Sequence, residues 1–165
     1  MSGNCRISSV VVFLLGLALA PGASAGANAI TPPPLTSIGA STPTRGEVAI
    51  VRAMNAVRSA NGVPPLRVGR ALTRAARYHS VDMARRGYFE HGNFVARLRS
   101  FGVRAPYIGE NLAEGSQPLS AAAIVQMWIV SPPHRQNLLD PTFRRIGVGV
   151  AGGSTKLVTA DFAGR

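Results

Sequence analysis

Residues 145–162, RIGVGVAGGSTKLVTADF, decide the fold class of this chain. Two short runs rich in β-branched and apolar residues, 145–151 and 156–162, flank Gly152-Gly153-Ser154, and this pattern is typical of a β-hairpin. Upstream, from residue 45 onwards, apolar residues recur mostly at helical spacing. Because helices come first and strands last, the order favours an α+β arrangement over a parallel βαβ sheet.

Four helices are predicted upstream of the hairpin. The first begins near Glu47 and ends before Asn61-Gly62, and the second, 70–86, is ended by a glycine. A short helix covers 94–101. The last helix starts at Ser120 and stops at Pro132-Pro133, since proline lacks an amide donor and restricts the residue before it. Residues 103–118 hold two prolines and two glycines, so this segment is predicted to be a loop with one short extended piece.

Residues 1–25 have the features of an export signal. Arg6 supplies the positive charge, Val10 to Ala20 is an apolar run, and Ala23-Ser24-Ala25 fits a small-residue cleavage site. The run is shorter than the roughly 20 residues that a transmembrane helix needs. We therefore expect a secreted or extracellular protein, possessing no integral membrane segment once the signal is removed.

The remaining chain divides into a linker and one domain. Residues 26–44 are rich in Pro, Ala and Ser and carry no charge, which predicts a disordered linker before a domain at 45–165. Cys5, the only cysteine, lies in the predicted signal. The exported form would therefore have no disulfide, no cysteine nucleophile and no thiolate ligand. A hydrophobic core must hold its roughly 140 residues together.

The formal net charge of +11 is carried almost entirely by arginine. Such an excess predicts attraction to polyanions such as cell-wall polymers or anionic lipid surfaces. The aromatic residues that single-strand nucleic-acid binders interleave with basic ones are absent from the sequence pattern. A nucleic-acid partner is therefore not favoured.

Three polar residues stand just past helix ends or in a glycine-rich segment: His91, Glu110 and His134. Two imidazoles and one carboxylate match the ligand set of a divalent metal site with open positions. Their spacing does not show that they converge, and the helical His-Glu-x-x-His motif is absent. Glu110 has a structural alternative, because a carboxylate can accept backbone amides and close a glycine-rich loop.

Five other residues are predicted to be structural. His79 lies on an apolar helix stripe and is expected to be buried and hydrogen-bonded, and Asp82 is expected to pair with an arginine or cap a loop. Trp128 is expected in the core. Arg144 and Arg145 precede a strand and are expected to form a solvated sheet edge.

Ser131 and His134 are three residues apart and are the residue types of a nucleophile and its base. The two prolines between them impose an extended geometry that need not bring the hydroxyl to the imidazole. No Gly-x-Ser-x-Gly elbow is present in the predicted domain at 45–165 either. A serine hydrolase is therefore not favoured.

Several motifs, in order and near their expected spacings, resemble the bacterial branch of the CAP superfamily (cysteine-rich secretory, antigen 5, pathogenesis-related 1), also called SCP-like. The similarity covers about Glu47 to Phe162. The segments that carry it are 55–58, 61–66, 79–84, 87–91, 109–113, 128–139 and 143–149.

The resemblance implies an α-β-α sandwich, in which a small antiparallel sheet lies between helical layers, and a solvent-open central cavity. In this family the cavity is typically lined by two His and two Glu, and in some members the His bind zinc or another divalent cation. By position, His91 and His134 are the two histidines and Glu110 is the first glutamate, whereas Ser131 stands where the second would be. A missing carboxylate weakens any acid-base mechanism that needs a pair, and no catalytic residue is assigned.

Two functions from different classes follow. The favoured one is a secreted, monomeric, non-enzymatic CAP domain that acts at or outside the cell envelope. The resemblance implies small hydrophobic ligands such as sterols or fatty acids in some members, and cell-wall association in bacterial ones. The alternative is a divalent-metal-dependent hydrolase that uses His91, Glu110 and His134. A third interpretation, an immunogenic or signalling protein recognised by a partner, requires none of these residues.

Overall fold

The computed structural model describes residues 6–13 and 42–165. Within these residues no helix is both long and apolar enough to cross a membrane. Most of the predicted signal and linker lies outside the described residues. The elements of the described part are β1 (Arg6–Phe13), α1 (Arg45–Ala60), β2 (Arg67–Val68), α2 (Arg70–Arg86), α3 (Phe94–Ser100), β3 (Tyr107–Ser116), α4 (Ala121–Val130), α5 (Pro132–Leu139), β4 (Phe143–Ala151) and β5 (Thr155–Gly164).

The strands form one sheet in the order β1-β3-β5-β4-β2. The hairpin predicted from the sequence is β4 and β5, and its turn needs Gly152, because a Cβ there would lie 2.0 Å from the Thr155 carbonyl oxygen. All neighbouring strands are antiparallel except β2, which runs parallel to β4. The sheet is therefore mixed rather than wholly antiparallel. Arg145 is exposed, as predicted, but it pairs with Arg67 of β2, so this end of β4 is not the edge of the sheet, contrary to the prediction.

Helices cover both faces of the sheet. α2 and α3 pack on one face, and α1, α4 and α5 pack together on the other. α2 lies close against β4 because Gly147 and Gly149 have no side chains: a Cβ at these positions would lie 2.1 Å from Leu72 backbone and 2.3 Å from Ala76 backbone. This arrangement confirms the predicted α+β class and the α-β-α sandwich.

Each face of the sheet has its own hydrophobic core. On the α1, α4 and α5 side the largest buried side chain is Trp128, and on the α2 and α3 side the cluster is smaller. The first core includes Met54, Ile124, Trp128, Leu138, Ile146, Val148, Val158 and Phe162, and the second includes Leu72, Ala75, Phe94, Leu98, Ile108 and Ala163.

The domain begins with a charged junction at residue 44. Thr44 and Glu47 form a capping box: the Thr44 amide donates to Glu47 Oε2 (2.7 Å), and the Glu47 amide donates to Thr44 Oγ1 (3.3 Å). Arg77 of α2 donates to the buried Glu47 carboxylate from Nε (2.7 Å) and from Nη2 (2.5 Å). This hydrogen bonding raises the pKa of the guanidinium. The junction ties the start of α1 to α2.

Two elements differ from the prediction. The segment predicted as a loop contains β3, ten residues long and buried along most of its length. The prolines predicted only to end α4 also start α5, where Pro132 and Pro133 occupy the first two helical positions. Proline is favoured there, because the first amides of a helix have no intrahelical partner. The pair therefore ends α4, as predicted, and also begins α5.

Arg58 is fully buried and bonds only to carbonyl oxygens. Its Nε donates to Pro64 (2.8 Å), Nη1 to Leu138 (2.7 Å) and Asp140 (3.1 Å), and Nη2 to Phe143 (3.0 Å). Burial, followed by the nearby charge of another arginine, lowers its pKa to about 10. One guanidinium thus joins α1 to the end of α5 and the start of β4.

β1 falls inside the predicted export signal. It pairs with β3 over eight positions, from Arg6 opposite Glu114 to Phe13 opposite Tyr107. The signal and its removal stay predictions. A chain without residues 1–25 would keep the other four strands.

Candidate functional site

His91 lies in the loop between α2 and α3. Gly87 ends α2 in the left-handed conformation (φ 68°), and Asn93 caps α3 by accepting the Ala96 amide, so both ends of this loop are fixed. His91 Nδ1 lies 2.7 Å from Oε1 of Glu110, a fully buried β3 residue. When the carboxylate accepts this bond, Nδ1 carries the proton, and the ring's lone pair is on Nε2.

The other oxygen of Glu110 is held by α3. Arg97 Nη2 donates to Glu110 Oε2, and the same nitrogen lies 3.5 Å from Oδ1 of Asp161. Asp161 of β5 is the register partner of Glu110, so the two carboxyl groups lie side by side on the α2 and α3 face. Both are 0% exposed. We call Glu110, Arg97 and Asp161 the carboxyl cluster.

One arginine cannot balance two buried carboxylates. Burial raises the pKa of Asp161 well above its ordinary value, and the neighbouring Glu110 charge adds to this. Burial also raises the pKa of Glu110 to about 7, although Arg97 acts in the opposite direction. We therefore assign at least one proton to the pair near neutral pH, and place it on Asp161 because Glu110 has the donors Arg97 and His91.

His134 occupies the first turn of α5 and is 2% exposed. Its Nδ1 lies 2.6 Å from Ser131 Oγ, so the backbone around the two prolines does bring the hydroxyl to the imidazole, contrary to the sequence-based expectation. The His134 carbonyl accepts from Asn111 Nδ2 (3.0 Å). Asn137 Nδ2 in turn donates to the Glu110 carbonyl (3.2 Å) and to Asn111 Oδ1 (2.8 Å).

Adjacent residues of β3 therefore anchor the two histidine segments. The Glu110 side chain holds His91 on the α2 and α3 face, and Asn111 holds the backbone of His134 on the α5 face. In each imidazole Nδ1 faces an oxygen, from Glu110 or from Ser131. Strand β3 thus connects the predicted site residues, although they come from separate elements.

Glu110 does not have the structural role that the sequence offered as its alternative. It lies on a strand and binds a histidine and an arginine, so it does not close a glycine-rich loop through backbone amides. Across residues 42–165, no group of three or more His, Cys, Asp or Glu side chains is arranged to hold a metal ion. The three-ligand set of His91, Glu110 and His134 is therefore not assembled, and the imidazoles are the candidate donors.

The structural predictions for other residues are confirmed. His79 is 3% exposed, its Nε2 lies 2.8 Å from the Glu90 carbonyl, and burial lowers its pKa to about 3. Asp82 pairs with Arg86 at 3.4 Å. Trp128 is fully buried and donates to a carbonyl of β3 at 3.0 Å.

Arg97 and Asp161 were not predicted as site residues. Asp161 stands between apolar residues of the last strand, and a lone carboxylate in such a strand is a signal for a buried partner. Arg97 resembles the other arginines in sequence, and only the packing of α3 distinguishes it.

Comparison with known proteins gives consistent results. The chain matches the Cysteine-rich secretory protein family (CAP) over residues 51–162. It is 36% identical over 125 residues to the uncharacterized protein YkwD of Bacillus subtilis (strain 168), covering 72% of this chain but 47% of that one.

Solved structures agree on the fold. An extracellular protein containing a SCP domain from Bacillus anthracis str. Ames has a TM-score of 0.66 and 32% identity, covering 73% of this chain and 40% of that chain. An outer surface protein from Borrelia burgdorferi has a TM-score of 0.66 at 17% identity, over 75% of this chain and 96% of that one. The chain spans less than half of both Bacillus relatives. Together with the two anchored histidine segments, these similarities show that the chain belongs to the CAP (cysteine-rich secretory protein) family.

Proposed function

We propose that this CAP domain is a secreted, non-enzymatic binding module that acts at the cell envelope and binds its ligand beside His91 and His134. The observation that carries this proposal is the matched setting of the two imidazoles. Each has an oxygen partner at Nδ1, and in the tautomer in which Nδ1 donates to that oxygen, the lone pair for coordination or hydrogen bonding is on Nε2. The family resemblance supports a central cavity at this place.

A divalent cation such as zinc fits the chemistry of these donors. Nε2 of His91 and of His134 would hold it, with Glu110 and Ser131 beside the two rings. Because the rings are anchored from opposite faces of the sheet, an ion shared by both would have to lie beside the edge of β3. When bound, the ion would supply a Lewis-acid position for an anionic or electron-rich ligand group. Glu110 orients a histidine in this arrangement and is not itself a ligand.

The same contacts favour binding over hydrolysis. A general base must come within about 3 Å of the proton it removes. Both oxygens of Glu110 are engaged by His91 and Arg97, and Asp161 is fully buried beside it. Neither carboxyl group is placed to activate water, which disfavours the hydrolase alternative.

The distribution of charge supports an envelope location. Glu47, Glu110 and Asp161 are buried and paired with arginines, and within 42–165 the one exposed acidic residue is Glu90. The remaining surface is dominated by cations, which attract anionic polymers and lipid headgroups. The exposed arginines are Arg45, Arg52, Arg67, Arg70, Arg74, Arg85, Arg86, Arg99, Arg104, Arg135, Arg145 and Arg165.

Isothermal titration of zinc into the metal-stripped, exported protein tests the site. We expect a dissociation constant in the micromolar range or tighter, on the order that two imidazole ligands provide, and its loss in the His91→Ala/His134→Ala double variant. His79→Gln is the matched control, because it removes a histidine that is committed to a backbone carbonyl. Equal zinc binding in wild type and double variant would refute the proposed donors.

Retention on cell-wall material and on anionic vesicles tests the location. We expect retention that weakens as salt rises, because exposed arginines are screened by ions. No salt-sensitive retention on either material would refute the envelope role without affecting the zinc result.

A further inference from the structure

Strand β1 completes the outer edge of β3. It runs antiparallel to β3, and its eight pairs follow one another without a register shift. The opposite edge of β3 is paired with β5 along nine positions, from Ile108 to Ser116. The backbone hydrogen-bonding groups of β3 are thus paired with β5 on one side. On the other side they are paired with β1, a segment of the predicted signal.

β1 also passes the candidate site. Val10 lies opposite Glu110, and Ser9 lies opposite Asn111. These two β3 residues anchor the two histidine segments, and α5 packs against β1 as well as against β3. A strand at this edge therefore runs directly past the residues on which the proposed binding site is built.

Removal of residues 1–25 would take β1 away and open this edge. Alternate backbone N–H and C=O groups of β3 would then lose their partners. Sheet proteins usually protect an exposed edge by short strands, lysine, proline or a bulge. β3 is ten residues long, contains neither lysine nor proline, and pairs with β1 without a bulge. Of its two charged residues, Glu110 is buried and paired with Arg97, and Glu114 is partly buried. Such an edge is a template for another extended chain.

We propose that the exported domain binds an extended, apolar peptide segment along the β3 edge, antiparallel to β3 and in the register that β1 shows. The inference rests on the proposed binding function and on removal of the signal. The proposed ligand is therefore a polypeptide. Backbone hydrogen bonds would supply affinity, and alternate side chains of the peptide would supply specificity.

The sequence of β1 indicates the chemistry that this edge accepts. RISSVVVF combines β-branched and aromatic residues with two serines, and its one charge, at Arg6, lies opposite Glu114. β-branched residues favour the extended conformation and lower the cost of ordering the peptide. We therefore expect an uncharged central segment of Val or Ile to bind, and acidic peptides to be rejected.

Hydrogen exchange at residues 107–116 tests the inference in three samples. These are the full unprocessed chain, the exported form, and the exported form with a synthetic peptide of residues 6–13 carrying a solubilising lysine tail. We expect β3 edge amides to be protected in the full chain and to exchange faster in the exported form. With peptide at about ten times its dissociation constant, exchange should slow again by roughly tenfold.

The control peptide carries Val10→Pro and Val11→Pro. Two consecutive prolines remove the backbone donor in whichever residue faces β3, so this peptide should give no protection. Equal protection by both peptides would overturn the proposal, as would equal exchange in the full chain and the exported form without peptide. An exported form that retains residues 6–13, or that protects β3 by dimerising, would also overturn it.

Zinc titration of the same samples separates this inference from the proposed function. Zinc binding that requires both histidines, in a protein that ignores the peptide, would leave the proposed site standing and overturn the peptide ligand. Register-specific peptide protection in a protein that binds no zinc would support the peptide ligand and refute the metal part of the site.

Discussion

Arg58 and Arg97 are both buried guanidinium groups, and the fold compensates them in opposite ways. Arg58 is surrounded by backbone carbonyl oxygens, which are fixed dipoles that never titrate. Arg97 faces two carboxyl groups, Glu110 and Asp161, and through Glu110 it is connected to His91. The first setting joins elements of the scaffold. The second joins the scaffold to the candidate site.

The difference shows that a buried charge can stabilise the fold independently of pH or can make its stability depend on pH. Dipoles stabilise Arg58 equally at every pH at which the protein folds, because their strength does not depend on protons. The carboxyl cluster stabilises Arg97 only while the number of protons on Glu110 and Asp161 suits the single positive charge. The two arginines should therefore respond differently to the same substitution when pH is varied.

Arg58→Met should have the largest effect. It leaves four carbonyl groups without their donor, and we expect the free energy of unfolding to fall by about 4 kcal/mol. Urea denaturation at about pH 5 and about pH 8 should give nearly the same loss, because the groups that hydrogen-bond Arg58 are backbone carbonyls, which do not titrate. Arg58→Lys, which keeps the charge but not the fork of donors, should recover only part of it. Full recovery by lysine would show that charge alone matters here.

Arg97→Met should destabilise by about 3 kcal/mol at pH 8 and by clearly less at pH 5. Without Arg97 the two carboxyl groups must be neutral to stay buried, and protonating them costs more free energy as pH rises. The same urea measurements check this. A pH-independent loss, like that expected for Arg58, would contradict the role given to the carboxyl cluster.

Asp161→Asn should change the pH dependence more than the stability itself. Because the folded pKa of Asp161 is raised, its contribution is fully present below its ordinary value of 3.8 and is lost as pH rises through the folded value. Asparagine does not titrate. Relative to wild type, the variant should therefore gain about 3 kcal/mol in unfolding free energy between pH 5 and pH 8, because each pH unit below the folded pKa is worth about 1.4 kcal/mol. A constant difference would place the shared proton elsewhere.

Ser131→Ala should have the smallest effect on folding, below about 1 kcal/mol, because Ser131 is partly exposed and its side chain does not cap α5. It removes the oxygen beside His134 Nδ1, so zinc affinity should fall by roughly tenfold. Titration calorimetry measures the affinity, and thermal unfolding of the same sample is its control. Unchanged affinity would show that Ser131 does not orient the ring.

The helices and the hairpin follow from sequence because their signals are local. β3 could not be predicted in this way, because its two glycines and two glutamates give the segment the composition of a loop. As a strand buried on both faces, it has its polar residues satisfied by α3 and α5 rather than by solvent. α5 was missed for a related reason. The prolines that end one helix are also suited to begin the next.

The site was partly predictable. His91, Glu110 and His134 could be selected from the sequence as candidates, but their contacts depend on strand register and helix packing. Arg97 and Asp161 lie 64 positions apart in the sequence numbering, and only the pairing of β3 with β5 and the position of α3 bring them together. No local pattern encodes such a contact.

The junction at Thr44 has a mechanical consequence. Any tension applied from the N-terminal side of α1 enters the domain at the first turn of that helix. There the Thr44–Glu47 capping box and the two hydrogen bonds from Arg77 to Glu47 connect this turn directly to α2. The force is therefore borne by two helices side by side before it reaches the sheet. A domain pulled from its N-terminal side would keep its central strands in register while its outermost turn yields first.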